Sequence, residues 1–199
     1  MKKLIIKTAA ITLAAIILTA LLIYGALAAF SPKSLAEFYD KAGNAGLARE
    51  YYARTYEKSG DINDLYVFCV KADEKGDAAK SAKYLEVITD KQDFEEFCRD
   101  KDAGYTVKIS TADFLRGKCV AANYYAFGIN KAVESALSFT GNAYAENNAF
   151  TLFISRCVKD FSAEDKAALS AALEAFKASL TNENDVARLN ADVEAVTGA

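Results

Sequence analysis

The single proline of this chain, Pro32, divides it into two unlike parts. Ahead of it, residues 8–32 carry no charge, and Lys2, Lys3 and Lys7 lie on the N-terminal side of that run. Beyond it the chain continues to residue 199 without another proline, rich in Ala, Leu, Glu and Lys, with glycines only at intervals. Long proline-free stretches of such residues favour helix. Proline disfavours helical geometry in the residue before it, so a first helix is expected to end or kink at Ser31.

Hydrophobic periodicity and turn residues predict further helices over 33–42, 45–58, 62–75, 77–89, 91–101, 111–127, 130–140, 143–159, 162–180 and 182–197. The last two are the clearest. Leu169, Leu173, Phe176 and Leu180 make one apolar face, and Val186, Leu189, Val193 and Val196 make another. Ser162 with Asp165 three residues later has the form of a capping box, with Asp in place of the usual Glu. Tyr105-Thr-Val-Lys-Ile-Ser110 alternates and is β-branched, but so short a run cannot build a sheet and reads as a connector. The expected fold class is all-α: one N-terminal transmembrane helix followed by a helical domain.

From Thr8 to Phe30 the uncharged run would be about 34 Å long as a helix at a 1.5 Å rise, against a hydrocarbon core of about 30 Å. It is long enough to span. Ala26-Leu27-Ala28 also has the small-x-small form of a signal-peptidase site, so cleavage after Ala28 and release is the alternative. A signal h-region is about 7–15 residues, whereas the apolar run from Leu4 to Ile23 is broken only by Lys7 and three Thr. That length favours a retained signal-anchor. The lysines before the span make residues 1–7 a cytoplasmic basic tip and place residues 33–199 outside, against the weaker bias of Lys33 and Lys41. Ala10/Ala14 and Gly25/Ala29 stand at a spacing that permits helix pairing in a membrane.

Residues 33–199 hold 21 basic and 27 acidic side chains, a net charge of −6. So acidic a domain is a poor nucleic-acid binder, because phosphate recognition needs clustered Lys and Arg. Cys69, Cys98, Cys119 and Cys157 could form two disulfides outside the cytoplasm. Each sits in an apolar helical context, however, where a thiol behaves as a small hydrophobe, and thiols are the expectation. Their spacings are unlike a zinc site, and no metal is expected. The chain has no histidine, which removes the commonest general base and any Ser-His-Asp or Cys-His arrangement within it. Arg116-Gly117-Lys118-Cys119 lacks the rest of a P-loop. No cofactor and no catalytic residue is indicated. Residues 105–160 hold nine aromatics among ten charges, and Tyr124, Tyr125, Phe127, Phe139, Phe150 and Phe153 are expected in the core.

The chain also repeats. KAGNAGLAREYY (41–52) aligns with EKGDAAKSAKYL (74–85) at an offset of 33 residues, pairing Gly43 with Gly76, Asn44 with Asp77, Ala45 with Ala78 and Tyr51 with Tyr84. Each block is a turn and a helix, preceded by another helix. The first pair offers Leu35, Ala36 and Tyr39, then Ala48 and Tyr52. The second offers Leu65, Phe68, Cys69 and Ala72, then Ser81, Leu85 and Ile88. Two helices approach closely where small residues face each other, and larger apolar residues fill the gap to the next pair. Gly141-Asn142-Ala143 echoes the first turn.

Over residues 33–90 this pattern resembles the tetratricopeptide repeat (TPR), a helix-turn-helix unit of about 34 residues. Ser59-Gly60-Asp61 stands where that family favours a proline, and Ala72 takes the place that Tyr39 fills in the first unit. The resemblance implies two TPR-like repeats over 33–90, with 91–199 as an irregular helical continuation. It also implies a groove lined by the first helix of each unit: Asn63, Tyr66, Val70, Asp73 and Glu74 in the second, Lys33, Glu37, Asp40 and Lys41 in the first. The functional expectation is a membrane-anchored scaffold or adaptor of the cell envelope that binds a protein or peptide, with the bilayer as its other partner through residues 8–30. The alternatives are an envelope enzyme using a lone carboxylate on a polymer such as peptidoglycan, and a secreted helical protein.

Overall fold

The computed structural model describes residues 2–198, with side chains from residue 7 onward. Met1, Ala199 and the side chains of Lys2 and Lys3 lie outside the described residues. Among the described residues the chain is all helical, with no strand. It divides into two compact units, one ending at Lys71 and the other beginning at Ala72.

In the first unit, α1 (Lys2–Phe30) ends at Ser31, whose φ of −139° breaks the helix, and Pro32 opens α2 (Pro32–Lys41) at its first position. Proline is suited to that position because its missing N–H would have no partner there in any case. Helix α3 (Ala45–Ser59) starts at Asn44, whose side chain accepts the Leu47 N–H, and ends on Gly60 in the left-handed conformation. Helix α4 (Ile62–Lys71) follows. The helices pack through Leu35, Ala36, Ala48, Tyr52, Leu65, Phe68 and Cys69, all buried. Ala36 and Ala48 are wholly excluded from solvent, as expected where α2 and α3 come closest. From Lys7 to Phe30, α1 is 24 residues long with a mean hydropathy of 2.4, and its apolar side chains are exposed. It is long and apolar enough to cross a membrane.

In the second unit, α5 (Ala78–Thr89), α6 (Phe94–Asp102), α8 (Ile129–Thr140) and α9 (Ala149–Cys157) all pack on α7 (Thr111–Phe127). That central position accounts for the burial of Ala112, Leu115, Gly117, Cys119, Val120 and Ala121 around the whole helix. At Gly117 α9 comes close: a Cβ there would lie 2.7 Å from the Leu152 Cβ. Helices α10 (Ala163–Lys177) and α11 (Glu183–Thr197) pair with each other and close over α8 and α9. Leu169, Leu173, Leu189 and Val196 are fully buried, with Phe176, Leu180 and Val193 half-buried beside them. Burying one such side chain contributes about 1.5–3 kcal/mol. The Ser162–Asp165 capping box is formed in both directions.

Three expectations need correction. The helix read over 62–75 stops at Lys71, because the Asp73 carboxylate turns back to accept the Gly76 N–H at 2.8 Å. The helix read over 143–159 begins only at Ala149. Asn148 caps it, and residues 141–148 form a loop pinned by the Tyr144 N–H to Asp185. Phe127 is 60% exposed at the end of α7, while Phe150 and Phe153 are buried and Tyr124, Tyr125 and Phe139 half-buried. The 105–110 connector stays irregular, with Tyr105 exposed.

Candidate functional site

The residues read as a groove fall in both compact units. Asn63, Tyr66 and Val70 lie on α4, spaced three and four residues apart and so on one helical face. Asn63 is exposed, and the other two are half-buried. Asp73 and Glu74 lie beyond the end of that helix, in the turn that opens the second unit. Of the residues read on α2, two are engaged with α4. Lys33 pairs with Asp64 at 2.9 Å and Lys71 pairs with Asp40 at 2.7 Å. The Asp64 carboxylate holds the Lys33 ammonium above its ordinary value. The two bridges join start to start and end to end, so α2 and α4 run in the same direction. Glu37 and Lys41 are exposed.

Helix α1 is also clasped within the first unit. The hydroxyls of Tyr24 and Tyr51 share a hydrogen bond, and the Tyr51 ring stacks on Tyr39 at 5.7 Å. That bond to Tyr24, and then burial, push the Tyr51 phenol up to about 12. Seven residues further along α3, Lys58 donates to the Ala29 and Phe30 carbonyls at 3.0 and 3.2 Å. The last carbonyls of a helix have no partner within it and carry partial negative charge. An ammonium placed there satisfies both needs.

In the second unit a cleft of about 200 Å³ is lined by Glu74, Lys75, Tyr125, Arg156 and Cys157 among others. Glu74 accepts both Lys118 and Arg156 at 3.2 Å. Lys118 is buried and also donates to the Ala72 carbonyl at 2.8 Å. Lys75 pairs with Asp160, which accepts the Tyr125 hydroxyl as well. Burial, and then the bond to Asp160, push the Tyr125 phenol well above its usual range. Burial likewise raises the Cys157 thiol to about 11, and Cys98 and Cys119 to about 12. All four cysteines are buried thiols. The three with raised values stay protonated at neutral pH and are therefore poor nucleophiles. Glu74, Lys75 and Arg156 at the cleft each meet an opposite charge, and the resulting network ties the turn before α5 to α7 and α9.

Sequence reasoning picked out Glu74 but missed its partners. Lys118 falls in the incomplete phosphate-loop pattern, and Arg156 lies 82 residues from Glu74 in sequence. Nor did it pair Tyr24 with Tyr51 or Lys58 with the end of α1. The visible signals were a phenol near the end of an apolar run and a Lys in the last turn of a helix. Among the described residues no cluster of His, Cys, Asp and Glu could hold a metal ion. Compared with protein-family models, curated proteins and solved structures, the chain matches none.

Proposed function

We propose that this chain is a membrane-anchored scaffold of the cell envelope, with α1 as a single span and a TPR-like helical pair beside it that captures a protein or peptide. The observation that carries the reading is the clasp between α1 and α3. Tyr24–Tyr51 and Lys58 on the Ala29 and Phe30 carbonyls fasten the apolar helix to the folded unit. A discarded signal would leave Tyr51 and Lys58 without those partners. The basic N-terminal side of the span puts the N-terminus in the cytoplasm and residues 33–199 outside.

The same-direction pairing of α2 and α4, with α3 between them in the chain, is what two first helices of a helical repeat would give. It supports the TPR-like reading of residues 33–71, and the burial of Ser81, Tyr84, Leu85 and Ile88 on α5 agrees with the aligned pattern at 74–85. The groove face on this reading is Asn63, Tyr66 and Val70. Its test is photo-crosslinking from a benzoylphenylalanine at position 63 of the full chain in membranes of its native host. A discrete protein adduct, reduced about tenfold by Tyr66→Ala at unchanged helicity, is the expected result. An absence of adducts, or adducts indifferent to Tyr66→Ala, would count against the groove.

A further inference from the structure

We infer that the α2–α3 turn, residues 42–47 with Phe38 beside them, is a second membrane contact that sinks into the bilayer interface next to α1. The inference rests on the reading of α1 as a span, and it follows from the register of the clasp. Tyr51 meets Tyr24, and Lys58 meets Ala29 and Phe30, so α3 runs alongside the end of α1 in the same direction. Helix α3 begins at Ala45, six residues before Tyr51. At a 1.5 Å rise the turn therefore lies about 9 Å to the N-terminal side of Tyr24, level with about Leu18 of α1.

That register limits where the membrane surface can be. A surface at Phe30 would carry the turn about 18 Å inward and Arg49 and Glu50 about 10–12 Å inward, where ionised side chains are costly. A surface below the turn would leave Lys7–Leu18, about 18 Å of helix, too short for a hydrocarbon core of about 30 Å. A surface near Tyr24 leaves Lys7–Tyr24, about 27 Å. It also puts a tyrosine at the headgroup level, where that residue is enriched. The turn then reaches about 9 Å inward, within the roughly 5–10 Å that interfacial segments penetrate.

Its composition suits that depth. Ala42, Gly43, Asn44, Ala45 and Gly46 are all small and exposed, so the tip is narrow. Phe38 is 61% exposed and Leu47 is 38% exposed, two large apolar side chains facing outward in a folded unit. Asp40 is neutralised by Lys71 at 2.7 Å. Lys41 has the long apolar stem that lets an ammonium reach back to the headgroups.

The chain contains no tryptophan, so Leu47→Trp introduces a single reporter. The full-length variant is reconstituted in phosphatidylcholine vesicles with and without dibrominated phosphatidylcholine, and the vesicles are washed with alkaline carbonate. Retention in the pellet, with emission cut at least twofold by the brominated lipid and weak quenching by acrylamide, is the expected result. Phe38→Trp should behave alike, which guards against one variant misfolding. Retention with full acrylamide quenching and no effect of bromine would overturn the interfacial turn while leaving the anchor intact. Release by carbonate would overturn both.

Discussion

Gly117 is a residue at which α7 and α9 of the second unit touch closely. An added methyl would meet the Leu152 Cβ at 2.7 Å, and backbone-proximal atoms cannot swing aside. Alanine is better by about 1 kcal/mol in a helix on propensity alone, so the sign of the effect tests the packing. Gly117→Ala is expected to destabilise by about 1–3 kcal/mol in urea unfolding, the usual cost of overpacking.

A second residue-scale prediction concerns alkaline pH. Burial, and then Asp192, raise the Tyr144 phenol well above its ordinary value, and Tyr124 and Tyr125 are raised too. Phenols raised in the folded state contribute stability that is complete below about pH 10 and is lost as pH rises toward their folded values. Tyrosinate absorbance from these groups should therefore appear only together with loss of helicity, above about pH 10. Tyr144→Phe should make that alkaline loss shallower. It should also cost about 1 kcal/mol at neutral pH through the missing bond to Asp192.

Helix ends carry the next predictions. Ser162→Ala removes half of the capping box of α10 and should cost about 1 kcal/mol. Burial acts to raise its partner Asp165, but the Ser162 N–H and O–H and the Tyr124 hydroxyl outweigh it and hold the carboxyl below its usual value. A depressed carboxyl stabilises above its unfolded value, near 3.9, and that contribution disappears as pH falls through the lower folded value. Asp165→Asn should accordingly flatten the acid limb of a stability–pH curve below about pH 4 and leave its shape above unchanged. Between elements, a double-mutant cycle on Lys33 and Asp64 should return a coupling of about 1 kcal/mol, since Lys33 is half in water.

Caps and periodicities are local, and that is why the helices were legible in the sequence. Ser162–Asp165 and the stripes of α10 and α11 need only neighbouring residues to be recognised. The edges that went astray were set from a distance or by competing side chains. Asp73 turned back on Gly76 ends the helix expected to continue to residue 75. Asp185, 41 residues from Tyr144, holds the loop where a helix was expected to begin at residue 143. The candidate site was legible only in part for the same reason. Tyr66 and Val70 follow from helical spacing, whereas Lys118 beneath Glu74 depends on tertiary contact. The echo at Gly141 shows the limit of a short motif. Gly43-Asn44 leads straight into α3, while Gly141-Asn142 leads into a loop that ends at Asn148.

For the whole molecule, the clasp predicts the fate of the N-terminal segment. Protein from host membranes should have the mass of the full chain and resist carbonate. A mass beginning at Ala29 in the soluble fraction would rule out the anchor. Lys58→Met should leave the mass unchanged. It should, however, open the junction after α1 to added protease, because the Ala29 and Phe30 carbonyls would lose their donor.

With α1 as a span, as proposed, the stiff joint after it would bear on search rather than stability. A domain on a slack tether wanders through a volume and meets partners from any side. A domain fastened to its span at two points keeps one height and one tilt, and only spin about the span and drift in the plane remain. The face of Asn63, Tyr66 and Val70 would then sweep a thin layer of constant depth. A partner confined to that layer is found by two-dimensional encounter, and a partner that never enters it goes unseen, whatever its intrinsic affinity.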